Sequence, residues 1–120
     1  MNIKHFGKKN DILFIETEKR ITDSESALDL IFSIKYETGC NKIILKKSRF
    51  SNNFFILSTG LAGEILQKFI NYDVKLAIIG DFSKYTSVPL KQFIGESNKG
   101  NAIFFLSTIE EAVEKLENCM

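Results

Sequence analysis

The residues best suited to chemistry are two hydroxyl residues followed by a glycine: Ser58, Thr59 and Gly60. They follow an apolar stretch and precede a run with helical periodicity, so we expect them at the first turn of a helix. Backbone N–H groups and the helix dipole favour negative charge there, including the charge of about −2 on a phosphoryl group. The segment is therefore a candidate for phosphorylation or anion binding, and the simpler interpretation is that Ser58 caps the helix.

Residues on either side could support this segment. Arg49 could help to hold an anion, and Asp81 ends an apolar strand, where carboxylates serve catalysis, metal binding or, more commonly, a turn. Phe54 and Phe55 either fix the preceding loop to the core or, if they are exposed, anchor a protein partner. The predicted partner- or anion-binding set consists of Ser58, Thr59, Gly60, Phe54, Phe55, Arg49 and Asp81.

Other catalytic chemistry lacks its usual residues. His5 is the one histidine and is far in sequence from Cys40 and Cys119, so no motif predicts a nucleophile with its base. The two cysteines are too far apart for a zinc or redox motif, and the sequence has neither a P-loop nor a GxGxxG fingerprint. We expect no metal and no cofactor, and the sequence favours a protein that is not an enzyme.

Charge and hydropathy exclude several classes of partner. Among 120 residues, 16 basic and 15 acidic side chains give a net charge of +1, unlike a dedicated duplex-binding domain. The basic residues near the phenylalanines could form an RNA-stacking surface, but a solvated edge is the simpler interpretation. No signal peptide is evident, and no apolar run approaches the roughly twenty residues that span a bilayer. We expect a cytoplasmic protein with free thiols and with no nucleic-acid or membrane partner.

The N-terminal third is predicted to contain a hairpin and a helix. Short apolar runs at residues 3–6 and 12–16 flank a turn-rich junction, which is typical of two antiparallel strands. Thr22 and Glu25 fit a capping box, and Gly39 is a suitable C-terminal residue for the helix between them. The apolar residues predicted to face the core are Ala27, Leu28, Ile31, Phe32 and Ile34.

The remaining chain alternates strands with helices. The continuous apolar run at residues 42–46 predicts an inner strand covered on both faces, and further strands are expected at residues 74–79 and 102–106. Residues 59–72 carry a strong helical pattern. Its predicted buried stripe consists of Leu61, Ile65, Leu66, Phe69 and Ile70. Starts of the last two helices are marked by Thr86, Ser87 and Pro89, and by Ser107 and Thr108.

This order of elements is typical of an α/β fold. We expect about five strands in a mixed sheet with about four helices, and we expect residues 1–120 to form a single domain. The carboxyl ends of parallel strands meet at one edge, where ligands commonly bind. Residues 46–60, 80–89 and 107–108 should therefore lie along that edge.

The chain resembles the STAS fold of sulfate transporters and of the anti-sigma factor antagonists of sporulation and stress regulation. In that fold a strand leads to an Asp-Ser-Ser-Gly-type motif that caps the next helix, and the matching residues here are Leu57-Ser58-Thr59-Gly60. The resemblance in element order covers about residues 11–116. The run LSTGLAGEILQKFINYDVKLAIIGDFSKYTS, followed by FIGESNKG and AIFF, resembles more narrowly the bacterial family called domain of unknown function 4180.

The resemblance implies a regulatory role. Regulatory STAS proteins are phosphorylated by a partner kinase on the hydroxyl residue that Thr59 matches, and Ser58 matches the hydroxyl before it. The expected function is a small cytosolic module that binds a protein partner, such as a regulator or a kinase, through this corner. The alternative is a small-molecule or anion-binding protein, or a weak enzyme, that holds a nucleotide or phosphometabolite at the same helix N-terminus. The sequence carries no signal for an oligomeric state.

Overall fold

Five strands form one mixed sheet in the computed structural model, which describes residues 1–119. The strands are β1 (Asn2–Phe6), β2 (Ile12–Glu16), β3 (Lys42–Lys46), β4 (Lys75–Ile79) and β5 (Ile103–Leu106). They lie side by side in chain order; β1 is antiparallel to β2, and the other neighbouring pairs are parallel. The predicted hairpin and the predicted central position of β3 are both confirmed.

Within residues 1–119, four helices accompany the sheet, as predicted. They are α1 (Ser24–Thr38), α2 (Leu61–Asn71), α3 (Val88–Lys99) and α4 (Ile109–Asn118). The first three helices connect the parallel strands, because such strands cannot be joined by a tight turn. Between β3 and α2 the chain forms three 3₁₀ turns, Lys47–Arg49, Asn52–Phe55 and Leu57–Thr59. No helix in the described part of the chain is long and apolar enough to cross a membrane.

Apolar side chains pack on both faces of the sheet. Leu13 and Ile43 belong to a core that also contains the buried residues of α1, α2 and α3. Their neighbours Ile12 and Ile44 belong to the opposite core, which α4 completes. Consecutive residues of a strand point to opposite faces. Burial of both faces therefore explains why the inner strands are continuously apolar rather than alternating.

The start of α1 lies one residue later than the predicted capping box. Asp23, rather than Thr22, is the N-cap, and its carboxylate accepts a hydrogen bond of 2.8 Å from the backbone N–H of Ser26. The Ser26 hydroxyl oxygen in turn accepts from the Asp23 N–H at 3.1 Å. Aspartate can fill this position because its oxygen reaches the same amide as a serine or threonine oxygen. The backbone hydrogen bond from Ser26 is the main reason that the pKa of Asp23 is lowered.

Two apolar residues predicted to be in the core lie on the surface. Phe32 of α1 and Ile70 of α2 are each 48% exposed, whereas the other predicted core positions of these helices are buried or half-buried. Phe32 packs edge-on against Tyr72, with 5.0 Å between the ring centroids. The apolar stripe of each helix is therefore wider than the strip of sheet that it covers.

The last two helices begin where their caps were predicted. The Ser87 hydroxyl accepts from the N–H of Leu90 at 3.3 Å, and the Thr108 hydroxyl accepts from the N–H of Glu111 at 3.1 Å. These local signals were sufficient to predict the starts of α3 and α4, because a capping side chain and the amide that it accepts from are only three residues apart.

Candidate functional site

Thr59 and Gly60 build the turn that leads into α2. The Thr59 hydroxyl lies 2.8 Å from the carbonyl oxygen of Ile56 and 3.0 Å from that of Asn53, and it accepts from the N–H of Leu61 at 3.2 Å. Gly60 has a φ of +76°, in the left-handed region that a side chain disfavours. The threonine hydroxyl and the glycine backbone together redirect the chain from the last 3₁₀ turn into the helix.

This turn is on the surface, as the sequence predicted. Ser58, Thr59 and Gly60 are all exposed, and apart from the chain neighbours of Gly60 no heavy atom of the described residues lies within 4 Å of a Cβ built on it. The predicted cap is wrong, however. Gly60 is the N-cap of α2 and the helix begins at Leu61, while the Ser58 side chain makes no hydrogen bond within residues 1–119.

The backbone amides of the turn are engaged within the chain. The N–H of Thr59 donates to the carbonyl of Ile56, and the N–H of Gly60 donates to that of Leu57, each at 3.0 Å. The next amide, of Leu61, is bonded to the Thr59 hydroxyl. The prediction of unpaired amides is therefore wrong for Thr59 and Gly60, because the segment before the helix coils into a 3₁₀ turn that uses them. The amides of Ala62 and Gly63, in the first turn of α2, have no acceptor among residues 1–119.

Phe54 and Phe55 lie beneath this surface. They are 1% and 6% exposed, and Phe54 packs against Phe50 with 4.6 Å between ring centroids. Phe55 stacks on Tyr85 at 5.3 Å. Both rings therefore fix the segment to the core, and their burial does not fit the predicted contact with a partner. The next residue, Ile56, is 50% exposed and was not among the predicted site residues, because an isoleucine that continues a run of apolar residues carries no sign of exposure.

Arg49 and Asp81 contact different neighbours. The Arg49 guanidinium donates to the carbonyl oxygen of Thr17, just after β2. The Asp81 carboxylate accepts from the hydroxyl of Ser83 at 2.6 Å and from its backbone N–H at 2.9 Å, and these bonds lower the pKa of Asp81. No ion pair joins Arg49 to Asp81 in residues 1–119. Their predicted convergence is not observed, and Asp81 has the turn-forming role that was considered more common.

Lys47 connects the segments that follow β3 and β4. Its ammonium group donates to the carbonyl oxygen of Asp81 at 3.0 Å and lies 4.6 Å from the ring centroid of Tyr85. The rings of Phe55 and Phe82 are each 5.9 Å away. Such distances permit cation–π attraction. The sequence offered one signal for this arrangement, which is a lysine directly after a central strand. It did not indicate which aromatic rings this lysine would contact.

A groove of about 560 Å³ lies at the carboxyl ends of β3, β4 and β5, and we call it the strand-end groove. It is lined by Arg20, Lys46, Lys47, Ser48, Phe50, Asn52, Phe55, Ile79, Gly80, Tyr85 and Ser107. The strand ends therefore meet along one edge as predicted, but Ser58, Thr59 and Gly60 do not line the groove. No cluster of three or more His, Cys, Asp or Glu side chains suited to a metal ion is present in the described residues.

Comparisons with known proteins point to one family and one fold. The family model described as Domain of unknown function (DUF4180) matches residues 7–116. None of the curated proteins matches the sequence. Among solved structures, the crystal structure of a candidate anti-sigma factor antagonist from Thermotoga maritima is similar, with 20% sequence identity and a TM-score of 0.51. The similarity covers 98% of this chain and 94% of that chain and shows that the α/β fold is STAS-like.

Proposed function

The chain belongs to the family described as Domain of unknown function (DUF4180), and on this premise we propose that it is a regulatory module that binds a protein partner. The proposal draws on the neighbour of the same fold, which is named for its action on another protein, an anti-sigma factor. We place the partner-binding site at the turn before α2. The exposed residues of this segment are suited to contact a partner, and its buried residues are suited to hold the turn in position.

The observation that carries this proposal is the exposure of Ser58, Thr59 and Gly60 beside the exposed side chain of Ile56. An apolar side chain can supply binding energy when a partner removes it from water, and hydroxyl groups beside it can fix orientation. The contact surface that we propose consists of Ile56, Ser58, Thr59 and Gly60, which we call the turn surface. Phe54 and Phe55 act through it by holding the segment in place.

Phosphorylation would control this turn surface. A kinase would transfer a phosphoryl group from ATP to a hydroxyl oxygen, releasing ADP and the hydroxyl proton. On Thr59, the phosphate would remove the donor that reaches the carbonyls of Ile56 and Asn53, so the turn would loosen while it gained charge. On Ser58, whose side chain makes no hydrogen bond in the described residues, it would add charge without that loss. In both cases the dipole of α2 would stabilise the charge.

The anion-binding alternative at the same place has less support. The amides of Thr59, Gly60 and Leu61 already donate within the turn, so a ligand at these three positions would have to displace internal hydrogen bonds. Arg49 and Asp81, which were to converge on that ligand, contact Thr17 and Ser83 instead.

The test is capture of a partner from extracts of the cells in which the protein occurs. Tagged wild-type protein is compared with Ile56→Asp and Thr59→Ala variants and with Ser33→Ala, an exposed position on α1 that serves as control. We expect one protein to be recovered by the wild type and the control and to be lost with both turn variants. Recovery that is the same for all four proteins would contradict the proposal.

A second measurement tests the phosphorylation step. The intact mass of protein purified from its own cells should reveal a phosphoryl adduct, which fragmentation should locate at Ser58 or Thr59. Unmodified protein under all growth conditions would remove the switch from the proposal and would leave the turn surface as a constitutive binding site.

A further inference from the structure

The charged side chains that line the strand-end groove are all basic. Arg20, Lys46 and Lys47 supply the charge, and no carboxylate lines the groove within residues 1–119. Because the whole chain has a net charge of only +1, this is a local excess of positive charge. A neighbouring depression at the end of β2 differs, since Glu16 and Glu18 there accompany its basic residues.

Two of these cations are held by neutral acceptors. The Arg20 guanidinium donates to the carbonyl oxygen of Phe50 at 2.8 Å, and the Lys47 ammonium donates to that of Asp81 at 3.0 Å. Carbonyl oxygens fix the positions of the side chains without neutralising their charge, and each cation has further N–H donors. In the described part of the chain, neither lies within 4 Å of a carboxylate oxygen, although the charge of Lys47 helps to lower the pKa of the more distant Asp81 carboxylate. Both groups are therefore positioned and have donors left for an anion.

Lys46 is the third cation and is partly compensated. Its ammonium group lies 3.6 Å from the Glu16 carboxylate, and the side chains of Lys46 and Glu16 are 50% and 39% exposed. An exposed pair of this kind contributes little energy and exchanges easily. Lys46 can therefore turn toward a stronger anion in the groove.

The backbone at the end of β4 is adapted to the position of Lys47. A Cβ atom built on Gly80 would lie 2.7 Å from the Cβ of Lys47 and 3.1 Å from its Cδ. The 2.7 Å distance is shorter than two non-bonded carbon atoms tolerate, so the lysine stem can cross the strand end in this position only because residue 80 is glycine. The cation enters the groove by a path that the backbone leaves open.

An aromatic wall adjoins the cations. Tyr85 is stacked on Phe55 with an interplanar angle of 19°, and both rings line the groove. Ser48 and Ser107 add hydroxyl groups. The Lys47 ammonium lies 4.6 Å from the centroid of the Tyr85 ring, so an organic group attached to a phosphate on Lys47 can reach that ring. The volume of about 560 Å³ is also in the range of small-molecule sites.

We propose that the strand-end groove binds a small organic phosphate ester, with its phosphate on Arg20 and Lys47 and its organic part against Tyr85. Arginine and lysine bind phosphate through charge-assisted hydrogen bonds. The site is separate from the turn surface and does not depend on the protein-binding role. It lies where open parallel sheets commonly place ligands, outside the carboxyl ends of the strands.

The test is a titration of isotope-labelled protein followed by amide NMR signals at constant ionic strength. The probes are inorganic phosphate, phenyl phosphate and, as the uncharged comparison, phenol. We expect phenyl phosphate to bind more tightly than phosphate, and phenol to have no effect. Signals of residues 46–48, 79–81 and 107 should move with both phosphates.

Variants identify the groups responsible. Arg20→Gln and Lys47→Gln should each weaken phenyl phosphate binding about tenfold, because each removes one charge-assisted hydrogen bond. Lys91→Gln, at an exposed position on α3 that does not line the groove, should leave the affinity unchanged although it alters the net charge equally. The recovery of a protein partner through the turn surface should be the same for Arg20→Gln and Lys91→Gln as for the wild type.

Three results would overturn the proposal. The first is the absence of shifts in the groove signals of the wild type, which needs no variant and cannot be caused by misfolding. The second is an equal loss of affinity in the Lys91→Gln control, which would indicate a general charge effect. The third is movement of signals at the start of α2 in place of the groove signals, which would locate the phosphate at the helix N-terminus.

Discussion

At the scale of single residues, the candidate site depends on backbone geometry that particular side chains support. The hydroxyl of Thr59 is both donor and acceptor in the turn before α2, and Gly60 adopts the left-handed conformation that follows it. Asp81 has the same kind of role after β4, where it accepts two hydrogen bonds from Ser83. Thr59, Gly60 and Asp81 therefore each have a structural role. A substitution at any of them would change the shape of its turn, and would affect binding through that change.

Replacing Gly60 should destabilise the protein although its surroundings are open. Gly60→Ala places a Cβ at a φ of +76°, and we expect the free energy of unfolding to fall by about 1–2 kcal/mol. The matched control is Gly63→Ala in α2, which also has open space around it but lies within the helix. That variant should be more stable than wild type by about 0.5–1 kcal/mol. Urea denaturation measures both, and equal stability of the two variants would contradict the left-handed turn.

The acid titration of Asp81 should reveal its hydrogen bonds. The Ser83 hydroxyl, followed by the Ser83 backbone N–H, holds the pKa of Asp81 below its ordinary value of 3.8. A lowered carboxyl pKa contributes stability that is present above about pH 3.8 and is lost as the pH falls through the folded-state pKa. Ser83→Ala should move the NMR titration midpoint of the Asp81 carboxyl upward. An unchanged midpoint would show that the hydroxyl does not stabilise the charge.

At the scale of elements, the segments after β3 and β4 hold each other in place. Lys47 crosses Gly80 and donates to the Asp81 carbonyl, while Phe55 from the first segment stacks on Tyr85 from the second. Phe54 adds a buried contact to Phe50. The turn surface and the strand-end groove therefore share one support, although they are different sites.

Replacing Gly80 should disturb that support. Gly80→Ala creates the 2.7 Å contact with the Cβ of Lys47, so either the lysine or the end of β4 must move. We expect a loss of about 1–3 kcal/mol in the free energy of unfolding, as for other overpacked positions. Gly95→Ala on α3 is the matched control, because its new Cβ would meet no described heavy atom within 4 Å apart from its chain neighbours and the backbone of its own helix, and it should not destabilise. A Gly80→Ala protein as stable as this control would exclude the close approach.

At the scale of the whole molecule, the sheet couples two cores. The core on one face contains residues of α1, α2 and α3, whereas the core on the other face is completed by α4. Every inner strand contributes to both, because its residues alternate between the faces. Disruption of one core should therefore also unfold the other. This coupling is the physical basis for the proposal that residues 1–120 form a single domain.

Substitutions in the two cores should accordingly affect one common transition. Phe54→Ala on one face and Phe104→Ala on the other each remove a fully buried ring. Each should lower the free energy of unfolding by about 3–5 kcal/mol. Both should lower the midpoint of the same urea transition, with coincident curves from circular dichroism and tyrosine fluorescence. Phe32→Ala, at a half-exposed ring, is the control and should have a smaller effect. A variant that unfolds in two separate steps would contradict a single cooperative unit.

The sequence by itself determined the order and type of the elements. Caps at Ser87 and Thr108, the C-terminal Gly39 of α1 and the continuous apolar run of β3 are local signals, and each was found where predicted. They succeed because a cap, a left-handed glycine or a buried strand depends on residues that are close together in the chain. The α/β class and the meeting of the strand ends at one edge follow from that order.

Only the tertiary structure determined which of the candidate residues are exposed to solvent and which side chains lie close together. Phe32 was assigned to the core from its helical spacing and is exposed, whereas Phe54 was left open between the core and a partner surface and is buried. Burial depends on what packs against a residue from elsewhere in the chain. The separation of Arg49 from Asp81, and the contact of Lys47 with the segment 34 residues further on, likewise depend on long-range neighbours. The spacing of apolar residues along the chain indicates which face of a helix or strand a side chain occupies. Only the tertiary structure determines whether that face packs against another element or is exposed to solvent.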